Sequence, residues 1–289
     1  MKKLIFMMVF FISAQASFAG EYINLCPQKP YPVSNGFSQF VSNATGMNFL
    51  FTTVAESQMQ KALKKDLHSK FDVEIKPYGA KNFLDGKFKS MTITSSQIKY
   101  GGLNMSDFKA STLCDYNQVV IKNKKDLYFP NNLVFNYSGV ITSKDFSNTI
   151  SSQEYTKILN KLNVTIANRV IFKVFDPVAK IANNRISMSF KVMTPFLFTS
   201  DISNVTVNAG LTVENEKIVF TDIDLGSENT RLNLSKMLPL INKLNPLSYE
   251  FGISNTANGV LKVKNVRIVN NNILVDGVFI IPKNYAMNK

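Results

Sequence analysis

The 289-residue chain has no tryptophan, a single histidine and only two cysteines. A Ser-His-Asp or Cys-His catalytic arrangement would have to use His68. That residue is surrounded by charged residues at positions 64–66 and 70, so we expect its side chain to be solvated. A single histidine also excludes a histidine-rich zinc site.

Motifs of the common enzyme classes are absent as well. The chain contains no G-x-S-x-G nucleophile elbow, no P-loop and no G-x-G-x-x-G dinucleotide motif. We therefore predict no enzymatic activity, no metal and no cofactor. The alternative is a carboxylate-only active site at Asp222 and Asp224, which share one face of a predicted strand. Alternating acids on an exposed sheet face explain the same pattern.

The first nineteen residues have the pattern of a cleavable secretory signal. Lys2 and Lys3 precede an apolar run at positions 4–12, and Ser17 and Ala19 supply small residues before a cut at Gly20. The apolar run is about nine residues long, whereas a helix that spans a bilayer needs ~20. We predict a signal peptide at 1–19 and a periplasmic or secreted protein. A retained anchor is the alternative.

The charge balance is basic. The net charge is +13, and it becomes +11 when Lys2 and Lys3 are removed (13 − 2). Export takes the protein away from nucleic acid, so we predict no nucleic-acid binding. Because the chain is basic, we predict a transient contact with a membrane surface instead. Lysines spread evenly for solubility are the alternative.

Cys26 and Cys114 are too far apart in sequence for a C-x-x-C redox or metal motif. Export would allow them to form one disulfide. Sequence alone does not give their separation in space, so free thiols stay open as the alternative.

Hydrophobic periodicity predicts an irregular lead-in at 20–44 and one domain at 45–289. A long helix is expected at about 45–71, a second helix opens at the capping box Ser151–Glu154, and a third runs at about 235–244. Strands are expected at 164–175, 185–193, 205–213 and 217–225, with a closing hairpin at 259–281. Short Asn-rich turns favour antiparallel pairing. The predicted fold class is α+β, with the helices on one side of a strongly curved antiparallel sheet.

Apolar residues are plentiful, and 23 of them are phenylalanine. Phenylalanine and methionine are common in the lining of apolar ligand pockets. The strand at 185–193 places Ile186, Met188 and Phe190 on one face, opposite serine and lysine. From the patterning alone, an ordinary filled core is the better explanation.

The order of these elements resembles the LmeA-like phospholipid-binding family of bacterial envelope proteins, which is similar to the tubular lipid-binding superfamily. The matching features are the helix at 45–71, the strand entry DGKFKSMTI at 85–93, the Ser151–Glu154 helix start, the strand VENEKIVFTDIDL at 213–225, the helix around Leu238 and the closing hairpin. The resemblance implies a long helix along a curved sheet that encloses an apolar groove, and binding of a phospholipid or other acyl-chain lipid there. It implies no catalytic residue.

The inward faces of the predicted helices and strands give the candidate groove lining, which consists of Met59, Leu63, Leu67, Ile158, Leu162, Phe172, Phe190, Leu238 and Ile241. Burying an acyl chain recovers about 0.8 kcal/mol per CH₂. We therefore predict a non-enzymatic lipid-binding protein of the cell envelope. The alternative is a structural or interaction protein of the envelope with the same fold and a filled core.

Overall fold

The structure is a computed structural model. It describes residues 22–27, 31–33, 52–53, 55–57, 59–61, 63–64, 69–100, 102–122, 126–166, 169–196, 199–227, 241, 243–247, 260–283 and 286–287.

Most of the described residues lie in antiparallel β-strands. In chain order the strands are β1 (Asp72–Pro77), β2 (Lys87–Tyr100), β3 (Leu103–Thr112), β4 (Asn117–Gln118), β5 (Val120–Lys122), β6 (Asp126–Tyr128), β7 (Leu133–Ile141), β8 (Val164–Ile166), β9 (Arg169–Ala182), β10 (Arg185–Phe196), β11 (Thr199–Glu214), β12 (Lys217–Ser227), β13 (Val260–Val269), β14 (Asn272–Ile281) and β15 (Ala286–Met287). The short helices are α1 (Ala80–Leu84), α2 (Ser143–Ile150) and α3 (Gln153–Leu162), with a 3₁₀ turn at Ile23–Leu25.

These strands form three sheets. The first has seven strands in the order β1-β2-β3-β7-β14-β13, with β4 paired to β2. The second has the order β12-β11-β10-β9-β8, and a small third sheet joins β15, β6 and β5. The two large sheets approach each other where the Val263 amide of β13 donates to the Glu216 carbonyl, between β11 and β12, at 3.0 Å.

The predicted fold class is therefore wrong. No long N-terminal helix is evident among the described residues. Within the predicted helix at 45–71, the described residues from 52 to 64 are helical, but 69–71 are not, and β1 begins at Asp72. Phe71, Val73 and Ile75 are all buried while the residues between them are exposed. Their period is two, so the end of the expected helix belongs to a strand pattern.

The predicted strands of the C-terminal half are confirmed, and most are longer than expected. The stretch at 164–175 is divided between β8 and β9. Three hairpins turn through two residues with positive φ, at Asn183-Asn184, Asn215-Glu216 and Asn270-Asn271. Two-residue turns of this kind match the right-handed twist of the flanking strands, and asparagine tolerates the left-handed conformation.

Aspartates interrupt three long strands. Asp107, Asp176 and Asp222 have φ between 47° and 49°, and each lies where the register of a strand pair shifts. A β-bulge bends its strand and increases the local twist. These aspartates therefore curve both large sheets.

Side-chain caps define the two longer helices. Thr142 and Asp145 form a capping box at the start of α2, a helix that the sequence analysis did not anticipate. The cap of α3 is Ser152, whose hydroxyl accepts from the Tyr155 amide at 3.1 Å, rather than Ser151. Of the third predicted helix, Ile241 and Lys243 are described and helical, and the remainder lies outside the described residues.

One hydrophobic core joins the two large sheets, α2 and α3. Its centre includes Phe146, Ile150, Ile186 and Met188, none of which retains exposed surface. Helix α2 packs between β3 of the first sheet and β9 of the second. The inner face of the first sheet is the face that borders this core.

The opposite face of the first sheet carries a second, smaller cluster. Residues 22–27 run across it, and Tyr22 is buried with Val134 and Val278. A disulfide joins Cys26 to Cys114 across 88 positions. The N-terminal segment is thus fixed covalently to the sheet.

Candidate functional site

The candidate site is the edge of the main core, against which five of the nine predicted groove-lining residues pack. Five of its residues lie at the margin of the main core, partly buried and packed against it: Met59, Leu63, Ile158, Leu162 and Phe172. They come from the helical residues near position 60, from α3 and from β9. Each of these three elements packs against the same core.

Helix α3 places its two margin residues through its own amphipathic spacing. Tyr155 and Leu159 lie four apart and are buried, while Ile158 and Leu162 form the neighbouring stripe and keep some exposure. The C-cap residue Asn163 accepts a hydrogen bond from the Val174 amide at 3.2 Å. This bond anchors the end of α3 to β9.

The same strand contributes Phe172, which pairs in register with Val164 immediately after α3. The helical residues near position 60 are attached to β1, because Oε1 of Glu56 accepts a hydrogen bond from the Ile75 amide at 2.8 Å. An edge-strand amide is thereby satisfied by a side chain. The margin residues therefore sit on elements with defined attachments.

Two other predicted lining residues are buried. Phe190 retains 1% of its surface and Ile241 none. Phe190 lies in the central part of β10, and Ile241 lies beside Leu244, whose carbonyl accepts from the Tyr155 hydroxyl at 2.6 Å. These two side chains are core residues in this conformation. Leu67 and Leu238 lie outside the described residues.

A second partly buried apolar margin lies on the inner face of the first sheet. Phe279 of β14 pairs in register with Phe135 of β7 on one side and with Leu261 of β13 on the other. The rings of Phe135 and Phe279 stack with their centroids 6.3 Å apart. Phe279 and Leu261 are partly buried, and Phe135 is buried. Strand pairing assembles this surface, so the local sequence does not indicate it.

Tyr137 occupies the next row of that inner face. Its register partners are Ala110 and Gly277, and these small residues leave room for its ring, which stacks with Phe108 at 6.4 Å. The hydroxyl is buried and has no hydrogen-bond partner among the residues that the structure describes. Burial raises the pKa of Tyr137, and the Asp276 carboxylate raises it further. The phenol is therefore a protonated donor at neutral pH.

A charged cluster lies where the N-terminal segment and both large sheets meet. Oε1 of Glu216 accepts from Lys262 at 2.8 Å, from the Tyr22 hydroxyl at 3.1 Å and from Lys264 at 3.4 Å. Burial acts to raise the pKa of Glu216, but the hydrogen bonds from Lys262 and Tyr22 and the two lysine charges hold it below its usual value. Both lysine ammonium groups also lie over the Tyr22 ring.

A three-tyrosine cluster lies near the disulfide. Tyr78 stacks on Tyr116 with centroids 5.7 Å apart, and Tyr31 meets both rings edge-on. The Tyr31 hydroxyl donates to the Asn117 carbonyl at 2.5 Å, and the Lys87 ammonium lies 5.1 Å from the centre of its ring. The rings pack on one another, so the cluster fastens residues 31–33 to the first sheet.

The carboxylates of the enzymatic alternative are exposed. Asp222 and Asp224 lie on the outward side of the edge strand β12, and Asp222 belongs to one of the bulges. Its backbone carbonyl accepts from Arg185. Within the described part of the chain, no group of three or more His, Cys, Asp or Glu side chains is arranged to hold a metal ion.

Comparison with protein-family models, curated proteins and solved structures finds no match to this chain. The resemblance to the LmeA-like family thus stays a prediction. None of the helices within the described residues is long and apolar enough to cross a bilayer.

Proposed function

We propose that this is an exported, non-enzymatic protein that binds a phospholipid or another acyl-chain lipid on its apolar inner surface. The observation that carries the proposal is the convergence of Met59, Leu63, Ile158, Leu162 and Phe172 on one core while each keeps some exposure. Large apolar side chains that pack on the core and keep some exposure are the surface that an apolar ligand would contact.

The proposal includes export and transient contact with a membrane surface. Residues 1–19 have the composition of a secretory signal, and the disulfide between Cys26 and Cys114 suits an oxidising compartment. The positive net charge favours approach to anionic headgroups.

Photocrosslinking tests the site directly. Delipidated protein would be incubated with phosphatidylglycerol that carries a diazirine in mid-chain, irradiated, and mapped by mass spectrometry. We expect saturable labelling at the five margin residues, and competition by unlabelled lipid. Leu84, Val178 and Ile202, the most exposed large apolar side chains described, serve as internal controls. Labelling confined to these three, or labelling that does not saturate, would refute the proposal.

A matched pair of variants separates binding from folding. Leu162→Lys places a charge at the margin, whereas Val178→Lys places one at a position that is 66% exposed. We expect the first to lose saturable labelling and the second to keep it, with circular dichroism spectra unchanged in both.

A second candidate function is that of an envelope structural or interaction protein with a filled interior. The burial of Phe190 and Ile241 favours it, since both were expected to line the groove. It predicts that no lipid displaces a hydrophobic fluorophore from the protein. Saturable displacement would exclude it.

A further inference from the structure

The outer face of the second sheet is the face turned away from the core. Most residues in the middle of that face are polar. The hydroxyl oxygens of Ser189 and Thr206 lie 3.3 Å apart across β10 and β11. A neighbouring row consists of Lys180, Ser187 and Asn208. This is the usual composition of a sheet face that meets water.

The end of the same face, toward the connection between β10 and β11, is apolar instead. Met193 pairs in register with Ile202 of β11 and with Lys173 of β9. In the next row, Phe175 of β9 pairs with Lys191 of β10. Ile202 is 55% exposed, and Met193 and Phe175 are partly exposed. Phe175, Met193 and Ile202 form the sheet-end patch.

The sequence is apolar at the connection itself. Phe196 at the end of β10 pairs with Thr199 at the start of β11, and the two positions between them are Leu197 and Phe198. Two-residue connections that meet water usually carry asparagine, aspartate or glycine. A Phe-Leu-Phe run at this position therefore indicates an apolar environment for this end of the sheet.

Two lysines border the sheet-end patch. The Lys173 ammonium lies 5.2 Å from the centre of the Phe175 ring, and it forms no ion pair with any residue that the structure describes. The Lys191 ammonium bonds to the Asp176 carboxylate at 2.9 Å. These three charged side chains sum to +1 (2 − 1). Lysines beside exposed apolar side chains are typical of surfaces that rest on anionic lipid.

Strand β9 connects the sheet-end patch with the proposed acyl-chain site. Phe172, one of the five margin residues, packs against the core, and so does the buried Val174. Lys173 between them faces outward, because successive side chains of a strand point to opposite faces. A bilayer in contact with the patch would therefore lie beside the margin.

We infer that the sheet-end patch is the surface with which the protein rests on an anionic bilayer. Met193 and Ile202 enter the headgroup region, and the Lys173 ammonium lies at lipid phosphates. This inference rests on the proposed function and names the surface of its membrane contact. It also gives a lipid a short path between the bilayer and the margin.

The chain contains no tryptophan, so a single introduced tryptophan reports on one position. Ile202→Trp places the indole on the sheet-end patch. Val178→Trp is the matched control, because Val178 is 66% exposed on the same face but pairs with Ser189. Ser189 is four residues from Met193 along β10, which is about 14 Å. Each full-length variant would be titrated with vesicles of phosphatidylglycerol or of phosphatidylcholine, and its emission recorded.

We expect the emission of Ile202→Trp to shift to shorter wavelength with phosphatidylglycerol vesicles, and to be quenched when the acyl chains are brominated. Val178→Trp should show neither change. High salt should weaken the binding, because it screens exposed charges. Added to Ile202→Trp, Lys173→Gln should weaken binding to these vesicles by about fivefold, the contribution of one lysine near an anionic surface. Lys180→Gln should have a smaller effect.

The outcomes distinguish the contact surface from the function on which it rests. Equal shifts in the two tryptophan variants, or no shift in Ile202→Trp, would overturn the assignment of the patch. A shift that appears without vesicles and grows with protein concentration would assign the patch to a second copy of the chain instead. Equal binding to both kinds of vesicle would overturn the role of the lysines.

None of these results would remove saturable crosslinking at the margin residues, which tests the acyl-chain site separately. Crosslinking confined to exposed residues, together with the expected shift in Ile202→Trp, would overturn the acyl-chain site and leave the membrane contact in place.

Discussion

The Tyr22 hydroxyl donates to Oε1 of Glu216 at 3.1 Å, although 194 positions separate the two residues in sequence. The same carboxylate oxygen accepts from Lys262 and Lys264 of β13. One side chain on a hairpin turn of the second sheet therefore bonds to the N-terminal segment and to the edge of the first sheet. Its charge therefore contributes to holding three parts of the fold together.

Neutralising Glu216 should reduce the loss of folding stability that occurs as the pH falls into the acid range. Its pKa is lower in the folded protein than in the unfolded chain, so the stabilisation is present above about pH 5 and is lost as the pH falls through the folded value. Glu216→Gln should lower the free energy of unfolding at pH 7 by up to about 1 kcal/mol. Urea unfolding at several pH values measures both effects.

Glu74→Gln is the matched control. Glu74 forms an ion pair with Lys76 at 3.5 Å, but both side chains are about two-thirds exposed, so water screens the pair. An equal flattening of the pH profile by Glu74→Gln would contradict the role given to Glu216.

Removing the disulfide should destabilise the protein substantially. The bond closes a loop across 88 positions, and a loop of that length contributes about 4.6 kcal/mol by restricting the unfolded chain. The Cys26→Ala/Cys114→Ala double variant should unfold at a much lower urea concentration. Labelling of the wild type with an alkylating reagent, without reductant, should add no mass. A gain of two alkyl groups would show that the thiols are free.

Gly277 should not tolerate a side chain. A Cβ at this position would clash with the Lys262 carbonyl and approach the Tyr137 ring to 2.9 Å. Because one of these atoms is backbone, the sheet itself must shift, and Gly277→Ala should cost about 1–3 kcal/mol. At Gly226 the added Cβ would meet no atom within 4 Å. Gly226→Ala should therefore leave the urea midpoint nearly unchanged, and similar losses in the two variants would argue against this packing.

Asp145 should be important for α2. Its buried carboxylate accepts from the Thr142 amide at 3.0 Å and from the hydroxyls of Thr142 and Ser106 at 2.7 and 2.8 Å. Asp145→Ala leaves these donors without their acceptor and should lower the free energy of unfolding by about 1–3 kcal/mol. The exposed first-turn residue Glu154 provides the comparison, and Glu154→Ala should have a smaller effect. A smaller loss for Asp145→Ala than for Glu154→Ala would contradict this reading.

The hairpins could be predicted from sequence because alternation and turn chemistry are local. Asn270 and Asn271 adopt positive φ between β13 and β14, where the Asn-rich turn was expected. The prediction of a long helix was wrong for a physical reason. Apolar residues near position 71 fit both a helical spacing and the alternation of a strand, and tertiary pairing of β1 with β2 decides between them.

The candidate site could be predicted only in part. Ile158 and Leu162 follow from the amphipathic spacing of α3, so the sequence identifies their stripe. The sequence does not show which elements pack against β10. It therefore does not show whether Phe190 lies at a margin or in a filled core. The row of Tyr137 and Gly277 arises from pairing between strands about 140 positions apart, and nothing local to either residue indicates it. By contrast, the capping box of Thr142 and Asp145 was visible in the sequence and could have revealed α2.

Native mass spectrometry of the full-length protein, purified without detergent from its own host, tests the central claim most directly. Lipid binding predicts a species heavier than the apoprotein by the mass of an acyl-chain lipid, and organic extraction should release that lipid and return the protein to its apoprotein mass. A single species at the apoprotein mass, with no extractable lipid, would contradict the account.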